Sequence, residues 1–222
     1  MFLPLPYGTP TLNYPISFGR HRNHWFIEST NMEFFKYRNK LSPDKGRLLI
    51  SEPYLPDPNF ERTIILLCEN NVEGTFGFVL NKPSTVSVSE VMEDINDYHS
   101  PAMIGGPVQQ DTLHYLHRNG TLADAVEIAA GIYWGGNFEH LLLLLQTNQM
   151  AHKDVKFFLG YSGWSGGQLE EELEQDSWIV SDKVTEDLVF ETAPEEMWRK
   201  TLTVMGGRFS VYSNYPKDPR LN

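Results

Sequence analysis

The chain has 222 residues, 41% of them hydrophobic and 13% aromatic, enough to build one sizeable core, and it shows no repeat or low-complexity tract. Its net charge of −11 (18 basic against 29 acidic residues) weighs against non-specific nucleic-acid binding, which depends on phosphate neutralisation by Lys and Arg. The single cysteine, Cys68, excludes an intrachain disulfide framework and a multi-cysteine zinc site, and the longest aliphatic run, Leu141 to Leu145, falls far short of the about 18 residues a membrane span needs. With prolines where an apolar leader would lie, the sequence reads as that of a cytoplasmic protein without a membrane partner.

Residues 1–45 read as an irregular N-terminal extension. Pro4, Pro6, Pro10 and Pro15 break regular structure, and Met32 is a plausible true start. The compact domain is expected over 46–212, followed by a tail over 213–222. Leu48 to Ile50 is a short buried strand. Arg62 to Glu69 is apolar and β-branched on both faces, as a central strand should be. Asn70 to Gly74 is turn chemistry, and Thr75 to Leu80 returns as the second arm of a hairpin that Pro83 stops. Val88 to Ile95 suits a short helix capped by Ser87. Thr112 to His117 and Val126 to Tyr133 are read as strands. Asn137 caps a helix over 138–147 whose five leucines imply burial on most sides. Val155 to Tyr161 is a strand, Gln168 to Glu174 a helix, and Trp178 to Val180 and Leu188 to Phe190 two short strands. Pro194 at a first helical position, Glu195 and Glu196 at the positive end of the dipole, and Gly206-Gly207 at the stop specify the last helix. Interspersed strands and helices with a clear hairpin define an α+β class with a mixed or antiparallel sheet.

The junction Gly160-Tyr161-Ser162-Gly163-Trp164-Ser165-Gly166-Gly167-Gln168 has the densest run of glycines. Gly163 to Gly167 fits the G-x-S-x-G pattern of a hydrolase nucleophile elbow. On that fold the triad runs Ser, then acid, then His, yet the last histidine here, His152, precedes Ser165, so a structural glycine turn is the better reading. Cys68 sits in an apolar strand and reads as a small buried hydrophobe. His114 and His117, three apart on an extended segment, project to opposite faces and do not chelate one metal. Phosphate-cradling motifs are missing. No catalytic residue, metal ligand or cofactor is therefore assigned. Three turns stand out together. Asn81-Lys82-Pro83 carries a cation, Gly105-Gly106-Pro107-Val108 offers bare backbone, and Tyr161 to Gln168 adds two aromatics and an amide. If they converge they make a small polar-rimmed site. Arg62 either reaches that site or pairs with Asp57 or Glu61.

The chain resembles the AlgH/YqgE family of bacterial cytosolic proteins. The resemblance rests on Gly46-Arg47-Leu48-Leu49-Ile50-Ser51 with Pro53, on Asp57, Phe60 and Arg62-Thr63, and on Gly74, Gly77 and Val79-Leu80-Asn81-Lys82-Pro83. It continues through Gly105-Gly106-Pro107-Val108, Gly135-Gly136-Asn137-Phe138 (where the family more often has Asp at the third position), Gly160-Tyr161-Ser162-Gly163-Trp164 and Gly167-Gln168-Leu169-Glu170 with Glu172. Trp178, Phe190, Pro194, Trp198, Leu202 and Gly206 complete it, so that it spans about residues 46–210. The resemblance implies a single domain whose bifurcated sheet folds into a pseudo-barrel flanked by helices. Some family members are named transcriptional regulators, and the resemblance carries no catalytic residue with it.

Together these readings give a non-enzymatic regulatory or binding protein acting on a protein or small-molecule partner. Its candidate site is Arg62, Asn81, Lys82, Gly105, Gly106, Tyr161, Trp164, Gln168 and Glu170. The alternatives are a regulator that binds DNA directly, drawing on the basic N-terminal segment, and a serine hydrolase using Ser165.

Overall fold

The computed structural model describes residues 41–92, 95 and 98–217. The expectations placed on residues 1–40, including the irregular extension and the start at Met32, lie outside the described residues, as does the tail beyond 217; the helix expected over Val88 to Ile95 is shorter, ending at Val91 with Met92 extended as its C-cap.

Strands β1 (Leu48–Ser51), β2 (Ile64–Asn71) and β3 (Gly74–Val79) form an antiparallel meander. The β2–β3 hairpin closes through an Asx turn in which the Asn71 side chain accepts from the backbone N–H of Glu73 and Gly74. Strand β10 (Trp178–Ser181) adds to the other edge of β1, pairing Ile50 with Ile179 and Ser51 with Trp178. Both faces of this half-sheet are covered, so Ile64 to Leu67 is apolar without alternation. On one face, Leu48, Ile50, Ile64, Leu66 and Phe78 share a core with the C-terminal helices α4 (Glu186–Phe190), α5 (Pro194–Met205) and α6 (Arg208–Tyr212). The Trp198 indole N–H donates to Ser51 O at 3.0 Å and pins α5 to β1. On the other face lie Leu49, Ile65 and Leu67, all fully buried, with Trp164, Trp178 and helix α3 (Gln168–Glu174), which packs against β10.

The spine of the molecule is β9 (Val155–Ser165). Along one edge it pairs with β6 (Val108–His117), which leads through β8 (Ile132–Trp134) to β7 (Val126–Ala129). Along the other edge it forks. Its C-terminal half pairs antiparallel with β3, matching Gly77 to Ser162, and its N-terminal half pairs parallel with β5 (Pro101–Ile104), matching Met103 to Phe158. Strand β4 (Pro83–Ser87) flanks β5. A second core joins the one-turn helix α1 (Val88–Val91) and α2 (Phe138–Gln146) to Ala102, Tyr115, Val155 and Phe157. The class is α+β with a bifurcated, mainly antiparallel sheet. The expected pseudo-barrel does not close by hydrogen bonds, because the path from β10 to β7 is open.

Several expected elements differ in extent or type. Pro83 does not end the strand region but opens β4, an edge strand where a missing N–H costs nothing. That edge is blunted further, since Val86 N–H is satisfied by Ser84 Oγ and Ser87 N–H by Glu90. The stretch Val126 to Tyr133 is two strands joined at Ala130-Gly131, with Gly131 at φ +75° making the turn. Leu188 to Phe190 is helical, because Thr185 caps a turn whose apolar side chains face the core. Helix α2 has the expected Asn137 cap, with Oδ1 accepting from His140 N–H, but buries fully only Leu141 and Leu145, while Leu143 is 54% exposed. The glycine stretch is not a turn as far as Ser165. It is strand β9, and the bend is confined to Gly166-Gly167.

Candidate functional site

The fork of the sheet is filled by backbone. Gly105 N–H donates to Leu159 O and Gly105 O accepts from Val79 N–H, both at 2.9 Å, so this residue bridges β9 and β3 where the two separate. The buried Ser162 hydroxyl donates to the same carbonyl at 3.1 Å. A Cβ on Gly105 would lie 2.2 Å from Gly160 O, and one on Gly106 2.3 Å from the Tyr161 backbone. Ile104 N–H donates to Lys82 O at 2.7 Å, and Val108 pairs with Tyr161. The bends at 81–83, 105–108 and 160–168 therefore do meet, but as a close-packed crossing of chains.

Within that crossing the polar members of the predicted site turn inward. Asn81 Oδ1 accepts from Ile64 N–H at 2.9 Å and its amide donates to Arg62 O at 2.8 Å, clasping the start of β2. Lys82 Nζ donates to Pro58 O and Asn59 O, both at 2.7 Å. Burial lowers its pKa, opposed by the nearby Glu61 and Asp57. Arg62 precedes β2 in a left-handed conformation, φ +50°. It pairs with neither Asp57 nor Glu61 within the salt-bridge distance. Its guanidinium stacks 4.8 Å from the Trp198 ring centroid and donates to Tyr215 O at 2.6 Å. These three residues hold the loop and the C-terminal segment.

Tyr161 behaves differently. In an unbroken strand it would lie on the face opposite Phe158, three residues before it. Gly160, at φ +65°, inserts an irregularity that brings Tyr161 onto the face of Phe158 and Phe78. There it meets Phe76 of β3 at 6.1 Å and His114 of β6 at 5.9 Å, both edge to face. Trp134 of β8 packs on Phe76 at 5.0 Å. Phe78 forms the floor, 5.3 Å from His114 and 6.5 Å from Trp134. Phe76, His114, Trp134 and Tyr161 are each only partly buried, and exposed Gly163 lies beside them. The Tyr161 hydroxyl and the Trp134 indole N–H have no hydrogen-bond partner among the described residues. Phe76, His114 and Trp134 were missed by sequence reasoning. The signal available was Gly160, whose freedom to adopt a left-handed conformation interrupts the strand alternation just before Tyr161.

Burial lowers His114 to about 4, leaving a neutral ring that shares a hydrogen bond with Thr112 Oγ1 at 3.1 Å. The unfolded chain takes up this proton near pH 6.5 and the folded chain only near pH 4, so stability falls as pH drops through that window. Urea unfolding is expected to show a loss of about 2 kcal/mol between pH 7 and pH 4.5 from this group. His114→Phe should flatten the profile, and an unchanged slope in that variant contradicts the assignment. His117 is lowered in the same direction by burial, opposed by its bonds to Gly135 O and Asn119 N–H. It packs against Tyr115 and Tyr133, among different neighbours from those of His114.

On the opposite face of the half-sheet, Trp164 and Gln168 converge on the buried carboxylate of Glu172. Glu172 is 5% exposed and accepts from Trp164 Nε1 at 2.9 Å, Trp178 Nε1 at 2.7 Å and Gln168 Nε2 at 3.2 Å. The sequence places Glu172 in an acidic run read as a solvated face. Its spacing of three from buried Leu169 was the clue that it faces inward. Glu170, one of the predicted site residues, points out and is exposed. Ser165 donates to Gln168 Oε1 at 3.2 Å, so the hydroxyl of the apparent elbow is held by an amide and not by a base. Cys68 is the extra residue of a bulge between Leu67 and Glu69. It is 3% exposed, and burial pushes its thiol far up, so native protein should resist iodoacetamide and label only on unfolding. Rapid labelling without denaturant would contradict this. Among the described residues no group of three or more His, Cys, Asp or Glu side chains could hold a metal ion, and no helix is long and apolar enough to cross a membrane.

This fold and its glycine crossing place the chain among known proteins. A family model described as AlgH-like matches residues 48–210, and the chain belongs to the AlgH-like family. A UPF0301 protein from Cytophaga hutchinsonii is 50% identical over 180 residues, covering 80% of this chain and 98% of that protein. A UPF0301 protein from Chlorobium limicola is 41% identical over 185 residues, covering 83% and 97%. The solution structure of the AlgH protein from Pseudomonas aeruginosa matches with a TM-score of 0.63 at 29% identity, covering 80% of this chain and 98% of that one. A crystal structure of a Corynebacterium diphtheriae protein matches with a TM-score of 0.66, covering 81% and 95%. At 22% identity that likeness is one of fold.

Proposed function

We propose that this AlgH-like protein is a non-enzymatic cytosolic regulator that recognises a partner protein through the ring face built from Phe76, His114, Trp134 and Tyr161. The observation that carries this reading is the company Tyr161 keeps. Four partly buried rings from four strands meet on one face, and two of them present donors without a partner among the described residues. Apolar area with a few polar handles is the composition of a recognition surface, in which Trp and Tyr carry most of the energy. The engagement of the Ser165 hydroxyl by Gln168 and the burial of Cys68 support a reading without a nucleophile. Direct DNA binding, the other role attached to some family members, has the net charge of −11 against it.

A photocrosslinking residue placed at position 161 or 134 in the native cell tests the siting, with position 170 on α3 as control. A discrete adduct from the ring face and none from the control is expected. Adducts only at position 170, or none at either ring position, overturn it. A gel shift at low salt would favour the DNA reading instead.

A further inference from the structure

We infer that the partner presents an arginine-rich segment to the ring face, with a guanidinium stacked on Tyr161 or Trp134 and a second cation on Glu69. The inference rests on the ring face being a docking surface and names what docks there.

The first argument is charge. At −11 the chain attracts a basic partner and repels an acidic one, which favours encounter with cationic segments over long range. The second is local. The bulge at Cys68 gives β2 one extra residue, so Glu69, not Cys68, stands directly across from Phe76. Cys68 drops into the core while Glu69 remains exposed at the border of the rings. Glu69 has no ion-pair partner among the described residues, and its side chain accepts one hydrogen bond there, from the Asn71 amide. The third is the chemistry of the rings. This chain already stacks guanidinium on aromatic faces twice, Arg62 on Trp198 at 4.8 Å and Arg118 on Phe190 at 4.9 Å. Among the described residues no cation of the chain occupies Phe76, Trp134 or Tyr161. Phe76 is packed by Phe78, Trp134 and Tyr161, so the half-exposed Trp134 and Tyr161 rings are the ones offered to a cation from outside, and Arg is favoured over Lys because its planar group stacks and is weakly hydrated. His114 stays neutral at physiological pH and adds no repelling charge. The Tyr161 hydroxyl and Trp134 N–H can meet backbone carbonyls of the same segment.

The test titrates a short capped arginine-rich peptide into the full chain, following tryptophan fluorescence and heat at low and physiological salt. A lysine peptide of equal charge, a glutamate peptide and a neutral proline-rich peptide run beside it. The arginine peptide is expected to bind more tightly than the lysine peptide, with the other two silent. Tyr161→Leu, which keeps apolar volume, and Glu69→Lys, an exposed change that leaves the core intact, are each expected to weaken binding about tenfold. Glu170→Lys makes the same change in net charge on α3 and should weaken it less than twofold. An equal loss with Glu170→Lys shows attraction to net charge alone and overturns the inference, as does arginine-peptide binding unmoved by Tyr161→Leu and Glu69→Lys. Binding of the proline-rich peptide alone, lost in Tyr161→Leu, overturns the arginine-rich occupant while leaving the docking face standing. Failure of every peptide overturns the occupant too, and the crosslinks at 161 and 134 then decide separately whether the face docks a protein.

Discussion

Gly105→Ala is expected to cost about 3–5 kcal/mol and to remove most of the folded protein from the soluble fraction. The added Cβ would sit 2.2 Å from Gly160 O and 3.1 Å from the Phe78 ring. The first of these is backbone in the middle of β9, so relief requires moving a strand rather than turning a side chain. Moving it breaks the two bonds through which Gly105 joins β3 to β9 and costs Ser162 its acceptor. Gly167→Ala is the matched control. That glycine caps α3 at φ +83° with nothing within 4 Å of a new Cβ, so only the left-handed conformation opposes alanine, at about 1 kcal/mol. Denaturant melts of the two variants decide the matter. Equal stabilities would mean that the fork tolerates separation and that the crossing at Gly105 is not what holds it shut.

Glu172→Leu is the second large effect. The carboxylate accepts from two indole N–H groups and one amide and is itself only 5% exposed. Each buried donor left without an acceptor costs about 1–3 kcal/mol. Removing a desolvated carboxylate returns part of that. A net loss of about 2–4 kcal/mol follows, or roughly 5–15 °C in Tm for a domain of this size. Glu172→Gln keeps one oxygen for the indoles and should lose only about 1 kcal/mol. Emission from Trp164 and Trp178 reports the same change without unfolding, because both rings lose a charge-assisted bond. A Glu172→Leu protein within about 1 kcal/mol of wild type would show that the network is dispensable.

Elements whose cause is local are legible in the sequence. Pro194, the acidic pair after it and the glycines at its end give α5 its limits to within a residue. Asn137 and Ser87 cap the helices assigned to them, the latter with a full capping box through Glu90. The β2–β3 hairpin followed from its Asn-rich turn. Where the reading slipped, a distant partner overrode a local signal. Leu188 to Phe190 is apolar enough for a strand but is wound into a helix by the Thr185 cap and the core it faces. The glycines of 160–165 signal a turn in isolation. They are strand because β3 and β6 supply hydrogen bonds on either side, and at Gly160 only a bare Cα leaves room, since a Cβ there would lie 2.5 Å from Val108 O.

For the candidate site the division is the same. The chain by itself determined that the bends at 81–83, 105–108 and 160–168 are special, since Gly, Pro and Asn restrict backbone choice within a few residues. It also determined the acidity that sets which partners can approach. Only the tertiary structure decided which side chains face outward. Asn81, Lys82, Arg62, Trp164 and Gln168 are used up inside the molecule. Tyr161 instead joins Phe76, His114 and Trp134, residues 27 to 85 positions away in the chain, because β9 forks and a left-handed glycine turns one strand residue over. Side-chain direction across a sheet depends on register with non-neighbouring strands, and register is a property of the assembled core rather than of any segment read alone.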